Sequence, residues 1–204
     1  MSNLPLGYLS VFPVHYHRHQ VASGVIGVQH SRASHPTEIT FGRSFGGLRN
    51  QGRDAHNAID IMGARGLRIV AACAGTVATS WRTRSGEHPG VGTSARGGNF
   101  IVIIDGKMGY YHYYAHMQRP STARSGQAIA AGHLLGYLGD TGRARGTPPH
   151  LHYQVSIRNA RGMLQSFLNP YADLFRLAAR WRPQVSAGGR VVIPVSHGGP
   201  SGSG

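Results

Sequence analysis

Short β-type runs separated by glycine-containing turns constrain the fold of this 204-residue chain more than any other feature of its sequence. From about Phe41 to Ile157 the runs are rich in Val, Ile and Tyr, and they predict a mainly β fold. The predicted strands are Ala58–Ile61, Arg68–Ala72, Gly75–Arg82, Asn99–Asp105, Gly109–His116, Leu134–Gly139 and His150–Ile157. The segments Arg84–Gly98 and Asp140–Pro149 lack such runs and are predicted to be long surface loops, which often carry function.

One helix is predicted near the carboxyl end of the β-rich part. Asn169 suits the N-cap and Pro170 the first helical position, and Pro183 ends the run. An apolar stripe at helical spacing follows the cap, and we expect it to pack on the sheet. The stripe consists of Tyr171, Leu174, Phe175, Leu177 and Ala178.

These signals divide the chain into three parts. Residues 1–40 are predicted to be an N-terminal extension, 41–183 the main folded domain and 184–204 a flexible tail, with Gly198–Gly204 disordered. In the extension, His15, His17 and His19 alternate and would share one face of a strand. An exposed His-rich segment is the favoured interpretation, and a second metal site is the alternative. No basic region precedes the apolar residues 4–14, so no normal secretory signal is predicted.

The charge is strongly positive, with 21 Lys and Arg against 7 Asp and Glu, a net charge of +14. Such a chain is attracted to nucleic acid, anionic lipid surfaces or anionic cell-wall polymers. The arginines are scattered, which favours a general field over a docking motif; an Arg-rich composition that affects only solubility is the alternative. The single Cys73 excludes an intramolecular disulfide and a Cys-rich zinc site, and no apolar run is long enough to span a bilayer.

Two short motifs offer metal ligands. His56 and Asp60 are four residues apart, and His150 and His152 would share one face of a strand. Together they supply two imidazoles and a carboxylate, with one further imidazole beside them. Three protein ligands and an open fourth position are typical of catalytic zinc. Each motif alone is also compatible with a structural role. The helical zinc motif His-Glu-x-x-His is absent, which argues against thermolysin-like enzymes. The few acids show no spacing typical of a paired-carboxylate glycosidase.

A third motif is the aromatic run from Tyr110 to Met117. On a strand, His112, Tyr114 and His116 would lie on one face, with Tyr111 and Tyr113 on the other. A histidine of this strand could donate a proton or stabilise an oxyanion. The alternative is an aromatic strand packed in a core.

Residues 41–174 resemble the lysostaphin/LytM-type zinc endopeptidases, which cut peptide cross-bridges of bacterial peptidoglycan. The matching segments occur in the family's order, which makes chance similarity a poor explanation. They are Phe45–Arg49 (FGxR), His56–Ile61 (HxGxD), Val70–Val77 (VxAAxxGxV), Gly98–Ile103 (GNxVxI), Tyr114–Met117 (YxHL), Gly126–Gly142 (ending in GxTG), His150–Tyr153 (HLHF) and Asn169-Pro170 (NP). Ala58 departs from the family's glycine, and no tyrosine precedes the first ligand within residues 50–55.

The resemblance implies an antiparallel β-sheet core of the duplicated hybrid motif type, with a groove that holds one Zn2+ and one C-terminal helix. Carried over by position, it implies that His56, Asp60 and His152 are the zinc ligands, and that His116 and His150 are catalytic. Asn99 and Tyr114 are expected to contact substrate in the groove, which the two predicted loops would wall.

The implied activity is zinc-dependent hydrolysis of peptidoglycan cross-links, with a slight preference for D-alanyl-diaminopimelate bonds. The expected partners are peptidoglycan and an anionic cell-wall surface, with no specific nucleic acid, no membrane span, a monomeric chain and a possible delivery or immunity protein. Action in the periplasm or cell wall would then need a route such as phage lysis or a secretion machine, as for a lysin or an antibacterial toxin, unless the chain is a shortened form of an exported enzyme. The alternatives are an inactive wall-binding or regulatory relative and a basic nucleic-acid-binding protein.

Overall fold

The computed structural model describes residues 2–15, 39–49, 54–83, 86–178, 184–185 and 191–193. In these ranges the chain forms short strands, a 3-10 turn at Gly142–Ala144 and the helix α1 (Tyr171–Ala178). The strands are β1 (Ser2–Asn3), β2 (Val14–His15), β3 (Ile39–Phe41), β4 (Leu48–Arg49), β5 (Asp54–Ala55), β6 (Ile59–Met62), β7 (Arg68–Val70), β8 (Gly75–Val77), β9 (Ser80–Thr83), β10 (Gly86–Pro89), β11 (Val91–Ser94), β12 (Gly98–Asp105), β13 (Tyr111–Met117), β14 (Ala128–Ile129), β15 (Leu134–Tyr137), β16 (His150–Arg158), β17 (Leu164–Asn169), β18 (Gln184–Val185) and β19 (Val191–Ile193).

The main sheet confirms the predicted mainly β, antiparallel fold. Its order β8-β12-β13-β16-β6-β3 is antiparallel at every pairing, and β17 extends it from β16. The central strands β12 and β13 are buried along most of their length because side chains cover both faces. One face carries the large core that includes Ile101, Ile103 and Tyr153, and the other carries a smaller cluster around Phe100 and Tyr113.

Residues 2–15 differ from the expectation of a separate N-terminal extension. Leu4, Leu9 and Phe12 are buried in the main core, β1 pairs with β17, and β2 pairs with β7. These residues are apolar without strand or helix periodicity, so their pattern did not indicate that they pack on the domain. Of the three alternating histidines, His17 and His19 lie outside the described residues, and the ring of His15 bonds to the carbonyl of Phe12.

The prediction that Arg84–Gly98 forms a loop is wrong over most of this range. Strand β10 forms a hairpin with β9, and β11 pairs antiparallel with β12. Strand β10 is largely exposed and β11 is partly exposed, and both contain Gly and polar or charged residues, so the apolar alternation that signals a strand is missing. In the predicted tail, β18 pairs with β19, which pairs in turn with β3; residues 198–204 lie outside the described residues.

The predicted helix is confirmed as α1. The side-chain Oδ1 of Asn169 accepts the backbone N–H of Tyr171 at 3.0 Å, which is the bond that an N-cap residue makes. Leu174, Leu177 and Ala178 are buried, whereas Phe175 is 39% exposed; Pro183 lies outside the described residues. Within the part of the chain that the structure describes, no helix is long and apolar enough to cross a membrane.

Candidate metal centre and adjoining histidines

Three predicted metal ligands meet where β6 and β16 pair. His152 lies directly opposite Asp60 in the antiparallel register, and His56 precedes β6 by three residues. The Asp60 Oδ1 atom is 3.1 Å from His56 Nε2 and 3.0 Å from His152 Nδ1. The two ring nitrogens are 3.3 Å apart. Strand pairing therefore brings together residues that are far apart in the sequence.

The geometry of these atoms fits a tetrahedral cation. Ligands about 2.0–2.1 Å from a zinc ion at tetrahedral angles lie about 3.3 Å from each other. The Nδ1–H of His56 donates to the Ser44 carbonyl at 2.9 Å, so Nε2 is the ring nitrogen that faces Asp60 and can serve as a metal ligand. Burial alone would raise the pKa of Asp60, but hydrogen bonds and positive charge from His152 and His56 hold it well below its ordinary value. An ionised carboxylate and converging imidazoles form a donor set that suits a divalent metal.

Two further imidazoles stand beside this cluster. The ring centroid of His116 is 4.9 Å from that of His150 and 5.7 Å from that of His152. The Nδ1–H of His116 donates to the Thr141 carbonyl at 2.8 Å, and that of His150 donates to the Pro148 carbonyl at 2.9 Å. These bonds leave the Nε2 atoms as the acceptors. Burial, followed by the charges of His150 and His152, lowers the pKa of His116 to about 4, so its ring is neutral at pH 7.

The backbone of His116 breaks the predicted alternation of β13. Its φ of +66° lies in the left-handed region, and it is the only non-glycine residue there among the described residues. His112 and Tyr114 face the main core, where His112 bonds to the hydroxyl of Tyr153 at 2.8 Å. His116 is turned to the opposite face. The expectation that all three share one face is therefore wrong.

Tyr114 does not lie in the groove. Its side chain is fully buried against Tyr153, and its hydroxyl accepts the backbone N–H of Ala72 at 2.9 Å. Tyr113 is the tyrosine next to the three candidate metal ligands, with its ring edge-on to His152 at 6.2 Å between centroids. Strict alternation along β13 placed Tyr114 on the same face as His116 and Tyr113 on the opposite face. The left-handed backbone at His116 reverses this placement.

Asn99 lies near the histidines, but its side chain bonds within the protein. The amide Nδ2 donates to the Met117 carbonyl at 3.0 Å, and Oδ1 accepts the Thr93 hydroxyl at 2.8 Å. Sequence reasoning missed two residues that orient the site, Ser44 and Thr141. Ser44 immediately precedes the FGxR lead-in and Thr141 lies inside the GxTG stretch, but no sequence signal indicates that their oxygens bond to site residues.

Comparison with known proteins places this fold and site in a class. The structure resembles the crystal structure of LytM from Ruminococcus gnavus ATCC 29149 with a TM-score of 0.57 and 24% identity, over 83% of this chain and 60% of that one. The model of peptidase family M23 matches residues 54–163. The chain therefore belongs to peptidase family M23, and the resemblance to lysostaphin/LytM-type proteins is confirmed.

Two curated relatives are similar to parts of the chain. The L-Ala–D-Glu endopeptidase of Bacillus subtilis (strain 168) is 30% identical over 146 residues, 68% of this chain and 40% of the relative. The peptidoglycan DD-endopeptidase ShyA of Vibrio cholerae serotype O1 is 38% identical over 61 residues, 30% of this chain and 13% of the relative. The chain spans less than half the length of either relative.

Proposed function

We propose that this chain is a zinc-dependent endopeptidase that hydrolyses peptide bonds of bacterial peptidoglycan. His56, Asp60 and His152 would hold one Zn2+, and His116 and His150 would be the catalytic residues. The observation that carries the proposal is the convergence of three ligand atoms within 3.0–3.3 Å, with two imidazoles beside them.

The metal would supply Lewis acidity, polarising the scissile carbonyl and lowering the pKa of a water molecule. The side chains of His116 and His150 carry the proton transfers. Their Nδ1–H groups are held by carbonyl oxygens, so each Nε2 is available to accept a proton from the attacking water. A ring that has taken up this proton stabilises the developing oxyanion and then donates to the leaving amine. No glutamate base is needed, because the imidazoles supply the acid and the base.

The substrate we propose is the peptide part of peptidoglycan, cut at the D-alanyl-diaminopimelate cross-link. The relative from Vibrio cholerae is named a DD-endopeptidase, which supports this bond; the relative from Bacillus subtilis is named for the L-Ala–D-Glu bond, which is the alternative. A chain of net charge +14 is attracted to the carboxylates of peptide stems and to an anionic wall. Arg96 and Arg143 are exposed in the two loops beside His116, where such groups would pass.

We place this activity in the periplasm or cell wall, where peptidoglycan is found. A role as an antibacterial effector or a lysin, with a delivery or immunity partner, is part of the proposal. The inactive wall-binding alternative is less favoured, because all five site positions keep side chains able to bind metal or transfer protons. The nucleic-acid-binding alternative rests on charge alone.

The test is digestion of purified sacculi by the zinc-loaded protein, with and without a chelator, with the fragments identified by mass spectrometry. We expect release of peptide fragments that the chelator abolishes and that stoichiometric zinc restores. His152→Ala should lose both zinc and cleavage, because one of three protein ligands is gone. The matched control is His133→Ala, since His133 is exposed and outside the site.

Each alternative gives a different result. Intact cross-links at stoichiometric zinc would contradict the enzyme and leave a wall-binding protein. A His152→Ala variant that still binds zinc tightly and still cleaves would contradict the ligand assignment. Tight, salt-dependent and chelator-insensitive binding of nucleic acid, without cleavage of sacculi, would support the third candidate.

A further inference from the structure

His116 is held in a strained backbone conformation. A non-glycine residue with φ of +66° costs conformational free energy that a strand residue normally avoids. The surrounding structure must therefore maintain this backbone conformation. Such strain is often found where a side chain has to be aimed. Because β13 has a side-chain period of two, an extended His116 would follow Tyr114 towards the core, away from His150 and His152.

A compact set of hydrogen bonds surrounds this residue. The backbone N–H of His116 donates to the Gly97 carbonyl at 2.8 Å, and its ring Nδ1–H donates to the Thr141 carbonyl at 2.8 Å. The carbonyl of the next residue, Met117, accepts both the Asn99 amide Nδ2 at 3.0 Å and the Thr141 hydroxyl at 2.8 Å. The peptide group that precedes His116 and the peptide group that follows Met117 are therefore both held.

Thr141 and Asn99 are also bonded to each other. The Thr141 Oγ1 accepts the backbone N–H of Asn99 at 2.9 Å while it donates to Met117. The Asn99 Oδ1 is held in turn by the hydroxyl of Thr93 at 2.8 Å. The Thr141 hydroxyl thus connects the start of β12, the end of β13 and the loop that carries the carbonyl partner of His116.

Glycines allow these segments to touch backbone to backbone. A Cβ added at Gly98 would collide with Thr141 Oγ1, and one added at Gly142 would collide with the backbone of Gly98. Both glycines have positive φ, +59° and +69°. The loops that contribute Gly97 and Thr141 therefore have almost no space in which to shift relative to His116.

We propose that Asn99 and Thr141 are positioning residues that hold the backbone of His116 in its left-handed conformation. They also keep its ring as the Nδ1–H tautomer, with Nε2 towards the candidate metal ligands. We call this pair the His116 clamp. The proposal rests on the proposed function insofar as His116 acts in hydrolysis. Neither clamp residue needs to touch substrate, which replaces the expectation that Asn99 binds it.

The test compares Thr141→Val, which removes the hydroxyl but keeps the size and β-branch, with Thr141→Ser, which keeps the hydroxyl. All variants are assayed as zinc-loaded full chains for zinc stoichiometry and for kcat and KM on sacculus fragments. We expect Thr141→Val to lower kcat on the order of 10- to 100-fold with little change in KM or zinc content, because misplacement of a catalytic group reduces the chemical step. Thr141→Ser should restore most of the activity.

A second readout does not depend on cleavage. Imidazole 15N NMR at a pH where the rings are neutral reports which nitrogen of His116 carries the proton. In the wild type we expect Nδ1 to be protonated, and in Thr141→Val a mixture of tautomers, because the carbonyl of residue 141 is no longer held in place. The matched control is Thr40→Val, since Thr40 is buried on β3 and its hydroxyl has no hydrogen-bond partner among the residues that the structure describes.

The outcomes separate the clamp from a merely structural role. A lower unfolding temperature with unchanged kcat and an unchanged His116 tautomer in Thr141→Val would overturn the proposal. If Thr141→Val does not fold, Thr141→Ala removes the same hydroxyl without adding a methyl in its place and decides by the same readouts. A wild type that cleaves nothing would contradict the proposed function, while the tautomer comparison would still decide for or against the clamp.

Discussion

Backbone carbonyl oxygens orient three of the histidines at the site. His56 is held by Ser44, His116 by Thr141 and His150 by Pro148, in each case through Nδ1. A neutral carbonyl fixes the tautomer of the imidazole ring without placing an additional negative charge beside the candidate metal ligands. His112, on the same strand as His116, is instead paired with Asp105 at 3.1 Å. Both side chains of that pair are buried, so the same residue type serves stability there.

The Asp105 carboxylate gives a prediction about acid stability. It accepts the backbone N–H groups of Lys107, Met108 and Tyr110 as well as the His112 ring. Burial alone would raise the pKa of Asp105, but these hydrogen bonds lower it below its ordinary value. Its stabilisation is therefore fully present above the unfolded-state pKa of about 3.9 and is lost as the pH falls from there towards the lower folded-state pKa.

We expect Asp105→Asn to reduce the free energy of unfolding by about 3 kcal/mol at pH 7, because one buried acceptor is lost. The difference from the wild type should shrink below about pH 4, where the unfolded wild type binds a proton. Urea denaturation across this pH range measures both, with the exposed Glu87→Gln as a control that changes little. A pH-independent difference would show that the carboxylate charge does not matter.

At the scale of elements, α1 and the N-terminal segment stabilise each other. Helix α1 has eight residues, fewer than an isolated helix needs in water. Asp173, fully buried in its first turn, accepts the backbone N–H groups of Gly7 at 2.7 Å and Leu9 at 2.5 Å. Arg176 completes the contact by donating to Asp173 at 2.6 Å and to the Leu9 carbonyl at 2.7 Å.

Asp173→Ala should therefore reduce the free energy of unfolding by about 3–5 kcal/mol, because two amides and one guanidinium lose their buried acceptor. We also expect faster amide hydrogen exchange in residues 2–15 than in β12 and β13, since the segment would open locally. Asp173→Asn retains one carbonyl acceptor and should fall between the wild type and Asp173→Ala. Unchanged exchange in residues 2–15 of Asp173→Ala would contradict this view of the contact.

At the scale of the whole molecule, most of the acids in the described residues are paired locally, whereas several of the described arginines are exposed. Asp140 pairs with Arg65 at 2.6 Å and Glu87 with Arg82 at 3.3 Å. Asp60, Asp105 and Asp173 are in the contacts described above. With only 7 Asp and Glu against 21 Lys and Arg, the chain keeps a net charge of +14. Arg96, Arg143 and Arg145 are exposed near His116, and none of them forms an ion pair within the described residues.

This distribution predicts salt-sensitive attachment to the wall. We use the zinc-loaded His116→Ala variant, which should be inactive under the proposed function. Its cosedimentation with sacculi should weaken as ionic strength rises, because attraction between exposed charges is screened beyond about 10 Å at 0.1 M salt. Replacing Arg96 and Arg143 by Gln in this variant should lower binding at low salt and flatten its salt dependence. Chitin, a neutral polysaccharide, is the control and should bind weakly at every salt concentration. Equal binding to sacculi at low and high salt would contradict an electrostatic contribution.

The local patterns predicted much of the framework. The strands β6, β7, β12, β13, β15 and β16 and the helix α1 lie close to their predicted positions, because they combine apolar residues with clear turn or cap signals. The strands β10 and β11 and the packing of residues 2–15 on the domain were not predicted. Burial by neighbours that are distant in sequence and pairing at a sheet edge leave little local pattern in the sequence. The assignment of roles to the five site residues stays a prediction.

By itself, the sequence determined the residue types available for a site and the family to which the chain belongs, because those follow from local motifs and their order. Only the tertiary structure decided which of these side chains meet. Pairing of β6 with β16 brings Asp60 to His152, since register is a property of two strands together. The positive φ at His116 moves its ring to the site and leaves Tyr114 in the core, because contacts with Gly97, Asn99 and Thr141 outweigh the period of two that an isolated strand would follow.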